Sequence, residues 1–323
     1  MDEAGIAKKG LSPIQPELDR IADVKEKAQL AHVVARMQLS GMAAFFSVNA
    51  TPDAKDATQM ILNISQGGLG LPDRDFYLQT DPKSVETREK YLGHARRMFE
   101  LLGHTPERAK AEADAVLQIE TALAQVALDR VSLRDPNKRY HKVPVAELGK
   151  LTPDFDWKSY LTDLGVSVSS LNVGMPDFMK GLEATLTSAS LDDLKTYPTW
   201  HVLRATAPML PKRFSDESFA FFGKTLTGAK EEPARWKRCV LATERDLGEI
   251  VGQKYVEQTF GQEGKERTLC MVTEIEKEMA KDIDSLNWMS DETKQQALAK
   301  LKAVANKIGY PEQSEVSELR AAR

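Results

Sequence analysis

Ser65–Leu78, SQGGLGLPDRDFYL, is the stretch that most limits how this chain can fold. Gly67, Gly68 and Gly70 are closely followed by Pro72. In an element interior each glycine costs about 1 kcal/mol and a proline about 3 kcal/mol. No helix is expected across this stretch. The expectation is an irregular corner between helices. The glycines let the backbone turn, Pro72 fixes one turn, and Phe76 and Tyr77 anchor the stretch against neighbouring helices. Arg74 and Asp75 either pair with their surroundings or face a cavity, and the structural role is the preferred reading.

Helical periodicity dominates on both sides of that corner. Residues 12–41 read as helical: Ser12-Pro13 opens the segment, Ile21, Val24, Leu30, Val33, Val34 and Met37 recur on one face, and Gly41 stops it. Phe45–Asn49 and Met60–Ile64 are β-prone around a turn-like Thr51–Asp56, which predicts a hairpin. Ser84 is read as the cap of a helix that carries Tyr91, Leu92, Ala95, Met98, Phe99 and Leu102 at three/four spacing and stops at Gly103. Thr105-Pro106 opens the next, with Ala109, Ala113, Val116, Ile119, Leu123 and Val126 as its stripe. The short connection makes these two antiparallel neighbours.

Residues 134–148 read as a loop into a short helix, and Asp156–Leu164 as a second short one. Leu191–Ala207 is helical with a kink or break at Pro198. An aromatic-rich piece, Ser215–Leu226, ends at Gly228. Pro233–Phe260 is a long helix with Trp236, Val240, Leu247, Ile250, Val251 and Tyr255 as inward positions. Lys265–Leu286 and Asp291–Lys307 follow, the last capped by Ser290 and closed by Gly309-Tyr310-Pro311. The fold class expected is mainly α with a minor β-hairpin, its short connections suggesting one large helical domain.

Composition narrows the function classes. Hydrophobic residues make up 41% of the chain and charged ones 28%, which are globular values. The net charge is −4 and the charges are interspersed, so no nucleic-acid partner is expected. No apolar run approaches the ~20 residues of a membrane span, and MDEAGIAKKG has no apolar signal core. Cys239 and Cys270 fall on apolar helix faces and are read as buried free thiols.

Motifs that carry chemistry are missing. The histidine tracts read HVVAR, HARRM, HTPER, HKVPV and HVLRA, and none is H-E-x-x-H. His94 and His104 flank a turn and can approach, but no third ligand accompanies them. They are read as ordinary surface or capping histidines. Gly223-Lys224-Thr225 lacks the earlier glycine of a phosphate-binding loop, since Ser218 stands there. Asp192-Asp193, Glu231-Glu232 and Asp291-Glu292 lie at or near helix starts, where carboxylates favour the dipole. Arg235-Trp236-Lys237-Arg238 is read as a helix turn with Trp236 towards the core and the cations towards acidic partners or solvent.

Five collinear stretches carry a family resemblance. QGGLGLPDRDFYL (66–78) resembles the signature of the neprilysin-type zinc metalloendopeptidases, which include the endothelin-converting enzymes. The usual form is close to GLxLPSRDYY, and Asp73 and Phe76 replace its serine and second-last tyrosine. RDPNKRY (134–140) resembles the family's RDPxxxY loop, and DFDWKSYL (154–161) the helix after it. KTLTGAKEEPARWKRCV (224–240) and WMSDETKQQALAKLKAVANKIGYP (288–311) resemble two later family segments. The residues matching these signatures are Gly68, Leu71, Pro72, Arg74, Asp75, Tyr77, Arg134, Asp135, Arg235, Trp236, Arg238, Gly309, Tyr310 and Pro311. A structural role is expected for them.

The resemblance implies a helical cap lobe, residues 1–311, followed by a divergent tail, 312–323. In the family a thermolysin-like lobe carries zinc, HExxH, ExxxD and a substrate-binding NAFY segment. None of these is expected within this sequence, so no catalytic or metal-binding residue is assigned to it. Zinc, oligopeptide substrates and a catalytic lobe, in the same chain or a separate one, are what the complete family enzyme implies. The alternative is a stand-alone helical peptide-binding or regulatory protein, or one half of a split peptidase. Cys239 matches a family cysteine whose partner position is not Cys here. That implies a bacterial homologue, periplasmic or extracellular in its full-length form.

Overall fold

The computed structural model describes residues 2–310, and Pro311 and the 312–323 tail lie outside the described residues. The chain divides into two compact units, Met1–Glu232 and Pro233–Arg323. A mainly α fold with a small sheet is what the structure shows.

The first unit opens with α1 (Glu3–Lys9), α2 (Gln15–Ala22) and α3 (Leu30–Leu39). The continuous helix expected over 12–41 is therefore broken after Ala22. Remote lysines satisfy carbonyls at this break and at a later helix end. Lys195 Nζ donates to the carbonyls of Ala22 at 2.7 Å and Val24 at 3.2 Å. Lys27 Nζ donates to those of Leu186 and Thr187 at 2.6 and 2.8 Å. Such bonds satisfy carbonyls that have no partner inside a helix.

The expected hairpin is present and longer than its β-prone cores. β1 (Phe46–Asp53) and β2 (Asp56–Gln66) pair antiparallel around Ala54-Lys55. Pro52 is tolerated because β1 is an edge strand. Two short strands absent from the sequence reading extend the sheet. β3 (Lys142–Pro144) pairs antiparallel with β4 (Ser170–Val173), and β4 pairs parallel with β2, in the order β1-β2-β4-β3. At the Asn63–Asn172 register position, Asn172 Nδ2 donates to Asn63 Oδ1 at 2.9 Å.

Between the hairpin and β3 lie α4 (Asp75–Leu78), α5 (Pro82–Leu102) and α6 (Pro106–Val126). The cap of α5 is Asp81 rather than Ser84. Asp81 Oδ1 accepts from the backbone N–H groups of Lys83 and Ser84 at 3.1 Å, and Pro82 takes the first helical position. Thr105 caps α6 as its sequence predicts.

After β3 come α7 (Leu148–Leu151), α8 (Trp157–Asp163), α9 (Pro176–Ser188), α10 (Leu191–Thr206) and α11 (Lys212–Ser218), with β4 between α8 and α9. A π-helical stretch follows at Phe219–Leu226. α10 runs on through Pro198 without a break. Its buried residues Tyr197, Trp200, Val202 and Leu203 hold it in the core. Tyr91, Tyr160, Phe99 and Phe178 are also fully buried in this unit. Burial of each such side chain contributes roughly 1.5–3 kcal/mol.

The second unit comprises α12 (Arg235–Thr259), α13 (Gly261–Ser285) and α14 (Asp291–Lys302). α12 carries a non-helical residue at Leu247, φ −136°. None of these three helices buries a residue. The inward positions expected on α12 are exposed instead: Trp236 56%, Val240 56% and Tyr255 67%. Cys270 is exposed and Cys239 half-buried, so the two free thiols are not core residues. Periodicity identified the apolar stripe but carried no information about what covers it.

Candidate functional site

The glycine-rich corner is built around a buried carboxylate that its sequence does not announce. Glu120 projects from the inner face of α6 and is fully buried. Two tyrosines from different elements donate to it: Tyr77 Oη to Oε2 at 2.8 Å and Tyr91 Oη to Oε1 at 2.9 Å. Each tyrosine hydroxyl also accepts. Tyr77 takes the Leu71 N–H at 2.8 Å, and Tyr91 takes Trp200 Nε1–H at 2.9 Å. One carboxylate thereby ties the corner, α4, α5, α6 and α10 together.

Burial pushes the Glu120 carboxyl up to about 7, against the pull of both tyrosines, Arg204 and the Gly70 N–H. Burial, and then the nearby Glu120, hold Tyr77 and Tyr91 well above the ordinary phenol range. Glu120 therefore titrates near neutrality between two neutral phenols. Its complete burial makes it a structural pivot with no route to a substrate.

Two glycines make room for this network. A side chain at Gly70 would run into the Tyr91 hydroxyl and come within 2.8 Å of Glu120 Oε1. Gly68 has φ +80°, and a Cβ there would lie 2.9 Å from the Phe45 backbone nitrogen. Phe45 itself holds φ +64° while fully buried against Tyr197, ring centroids 4.7 Å apart. That conformation costs a non-glycine residue on the order of 1–3 kcal/mol. The Tyr197 hydroxyl donates to the Gly68 carbonyl, which closes the corner onto α10.

Of the remaining corner residues, Arg74 donates through Nη1 to the Ala127 carbonyl at the end of α6. Asp73 pairs with Arg130. Leu71 is buried, whereas Pro72 and Asp75 are exposed. α4 supplies one helical turn at Asp75–Leu78, where no helix was expected; it begins beyond Pro72, the last residue that forbids one.

The 134–140 loop lies elsewhere in this unit. Asp135 Oδ1 accepts from the Asn137 N–H at 2.9 Å, and Arg134 is exposed. Lys142 Nζ donates to Asp53 at 2.8 Å, and with the Lys55 N–H at 2.9 Å and Tyr140 Oη at 2.7 Å it holds that carboxyl down at about 2. In the second unit Gly309 has φ +71° and Tyr310 Oη donates to Gln262 at 3.0 Å. Trp236 is exposed, against the core position expected, and Arg235 and Arg238 are half-buried.

The histidines do not form a metal site. His32, His94 and His104 each pair with a different carboxylate: Asp163 at 2.5 Å, Glu217 at 2.8 Å and Glu112 at 2.5 Å. His94 and His201 are buried, unlike the surface or capping histidines expected. Among the described residues no three His, Cys, Asp or Glu side chains converge to hold an ion. The donor set of the described residues therefore does not fit zinc.

The profile of Peptidase family M13 matches residues 1–311. The chain belongs to peptidase family M13. Human endothelin-converting enzyme 1 is 32% identical to this M13 chain over 275 residues, 83% of the chain and 35% of the relative. The inhibitor complex of Mycobacterium tuberculosis zinc metalloprotease Zmp1 superposes with TM-score 0.90 at 33% identity, covering 97% of this chain and 48% of that one. PepO from Lactobacillus rhamnosis, 19% identical with TM-score 0.83, shares the fold. This M13 chain thus spans about a third of the endothelin-converting enzyme and about half of the solved relatives, as an N-terminal M13 region.

Sequence reasoning located the corner and missed its centre. Glu120 falls seven residues after Ala113 and four after Val116 on an apolar stripe, and that register was the available signal. Tyr91 was read as inward on its own stripe, whereas Tyr197 and His201 gave no comparable sign; the partners of all three lie on other elements.

Proposed function

We propose that this chain is the cap lobe of a neprilysin-like zinc endopeptidase and performs no peptide hydrolysis by itself. In the complete enzyme a catalytic lobe, in the same chain or a separate one, supplies the zinc and the general base. The cap limits the size of the oligopeptides admitted. The matching residues of the corner, from Gly68 to Tyr77, and those at 134–135, 235–238 and 309–311 serve architecture rather than substrate contact. A periplasmic or extracellular setting follows from the family resemblance. No helix among the described residues is long and apolar enough to cross a membrane.

The observation that carries this reading is the coverage: 97% of this chain superposes on only 48% of Zmp1. The second unit supports it. Met271, Ile275 and Met279 form an exposed apolar row on α13, flanked by Glu274, Glu278 and Asp282. Rows of this kind mark protein contacts. Their occupant in this reading is the remainder of an M13 enzyme, the half of Zmp1 that this chain does not cover.

Zinc analysis and a fluorogenic oligopeptide assay on the purified chain test the reading. The expected result is substoichiometric zinc and no hydrolysis. Zinc near one per chain, with activity abolished by a chelator, overturns it.

A further inference from the structure

We propose that the cavity beside the glycine corner binds a small carboxylate with an aliphatic body, held by the guanidinium of Arg204. The cavity has a volume of about 390 Å³ and lies wholly within the first unit. That size falls in the range of small-ligand sites, roughly 300–1,000 Å³.

Three arginines line it, and two are already committed. Arg74 donates to the Ala127 carbonyl, and Arg130 pairs with Asp73, another lining residue. Arg204 is half-buried; its charge acts on the buried Glu120 carboxyl, but no group among the described residues hydrogen-bonds its fork. Its one contact of note is the Phe222 ring, 5.3 Å from Cζ, which leaves the planar N–H fork uncommitted. A guanidinium partly withdrawn from water without an acceptor is costly, and a carboxylate matches its fork in bidentate fashion.

A second lining group is neutral. His201, one turn before Arg204 on α10, is 3% exposed, and its Nε2 has no hydrogen-bond partner. Burial, and then the charge of Arg204, keep this imidazole neutral, and the Gly68 carbonyl accepts its N–H, so it adds no second charge to the cavity. One uncommitted cation beside Asp73 suits a monoanion better than a doubly charged phosphate. Leu69, Leu128 and Leu133 complete the wall and set the aliphatic character of the ligand body. The carboxylate can come from a free acid or from the C-terminus of a peptide ending in an aliphatic residue.

Calorimetric titration of the full chain with 4-methylpentanoate, 4-methylpentanamide, acetyl-Gly-Gly-Leu and its C-terminal amide tests the assignment. At least one acid is expected to bind saturably, and its amide at least about tenfold more weakly, the loss of a charge-assisted pair. Saturation by the peptide acid alone identifies a chain terminus as the ligand, and saturation by 4-methylpentanoate identifies a free acid. Arg204→Gln should weaken acid binding by about tenfold or more. The binding acid should raise the unfolding midpoint of the wild type and not that of R204Q, which also reports that R204Q is folded. If R204Q does not fold, Arg204→Lys replaces it, because it keeps the charge and loses the fork. Equal binding of acid and amide, undiminished binding by R204Q, no saturation by either acid, or displacement by equimolar inorganic phosphate overturns the proposal.

Discussion

Tyr91 and Glu120 stand 29 positions apart in the sequence and meet at 2.9 Å, the phenol donating to the carboxylate with both side chains fully buried. Around that bond the corner glycines, α4, α5, α6 and α10 lock together. The network is satisfied at each hydrogen bond described, so its weak point is the ionisation of Glu120 itself.

Glu120 makes stability depend on pH in a defined direction. Its carboxyl titrates at about 7 in the folded chain, raised from an ordinary 4.5. Below 4.5 it is protonated in both states and its contribution is complete. Between 4.5 and 7 the unfolded chain releases the proton and the folded chain keeps it, so stability falls as pH rises. The loss is roughly 3 kcal/mol by pH 7.5. Glu120→Gln removes the titration while keeping an acceptor for a tyrosine. Urea unfolding of both proteins at several pH values should show their stability difference moving in favour of the variant between pH 4.5 and 7. A constant difference would mean that the buried carboxyl titrates normally. His201 acts with the opposite sign. Its pKa is depressed to about 3 by burial, so its contribution is present above 6.5 and lost as pH falls. Comparing E120Q with wild type at each pH cancels that background.

Gly70→Ala should be among the most damaging single-methyl additions in the chain. The new carbon lies 2.6 Å from Tyr91 Cζ and 2.8 Å from Glu120 Oε1, and neither can move without breaking the network. The expected cost is about 3 kcal/mol or more, seen as a drop in melting temperature of roughly 10 °C. Gly149→Ala is the matched control, because nothing lies within 4 Å of its added carbon. Equal melting temperatures for the two variants would contradict the close approach at Gly70.

The helical pair α5 and α6 was legible because its information is local. Apolar spacing, Gly103 and Thr105-Pro106 all lie within the segments they define. Asp81 and Ser84 both offer a capping oxygen, and Pro82 at the first helical position decides for Asp81. The strands β3 and β4 are too short to show alternation, and their pairing with β2 is set by residues far away in sequence. The site divides in the same way. Its glycines and Arg74 stand out in one stretch, whereas Tyr91, Glu120, Tyr197 and His201 acquire meaning only after three helices meet. Trp236 and its row on α12 show the limit from the other side. Their stripe is visible, but the surface that covers a stripe is not written within it.

Arg74→Ala should lower the unfolding midpoint by about 1–2 kcal/mol, since a charged donor to the Ala127 carbonyl is lost at the end of α6. Differential scanning calorimetry provides the measurement. Unchanged stability together with weakened binding of 4-methylpentanoate would instead assign Arg74 to the cavity.

The contrast between the two units yields the last prediction. Ile119 on α6 is 3% exposed and Ile275 on α13 is 56% exposed, so one apolar residue type occupies two environments. Ile119→Glu places a charge where the surrounding core offers no partner, and the chain should lose more than about 4 kcal/mol or fail to fold. Ile275→Glu joins an acidic face that already carries Glu274 and Glu278, and its effect on folding should stay within about 0.5 kcal/mol. Chemical denaturation of both variants makes the comparison. Because α12, α13 and α14 bury no residue, their amides should also exchange with solvent ahead of those in α5 and α6. If the apolar row on α13 is the seat of a catalytic lobe, I275E leaves folding intact and abolishes assembly with that lobe, a separation that I119E cannot produce. Strong destabilisation by I275E in the chain as it stands would mean that this row is already covered, and the proposed docking face would be lost with it.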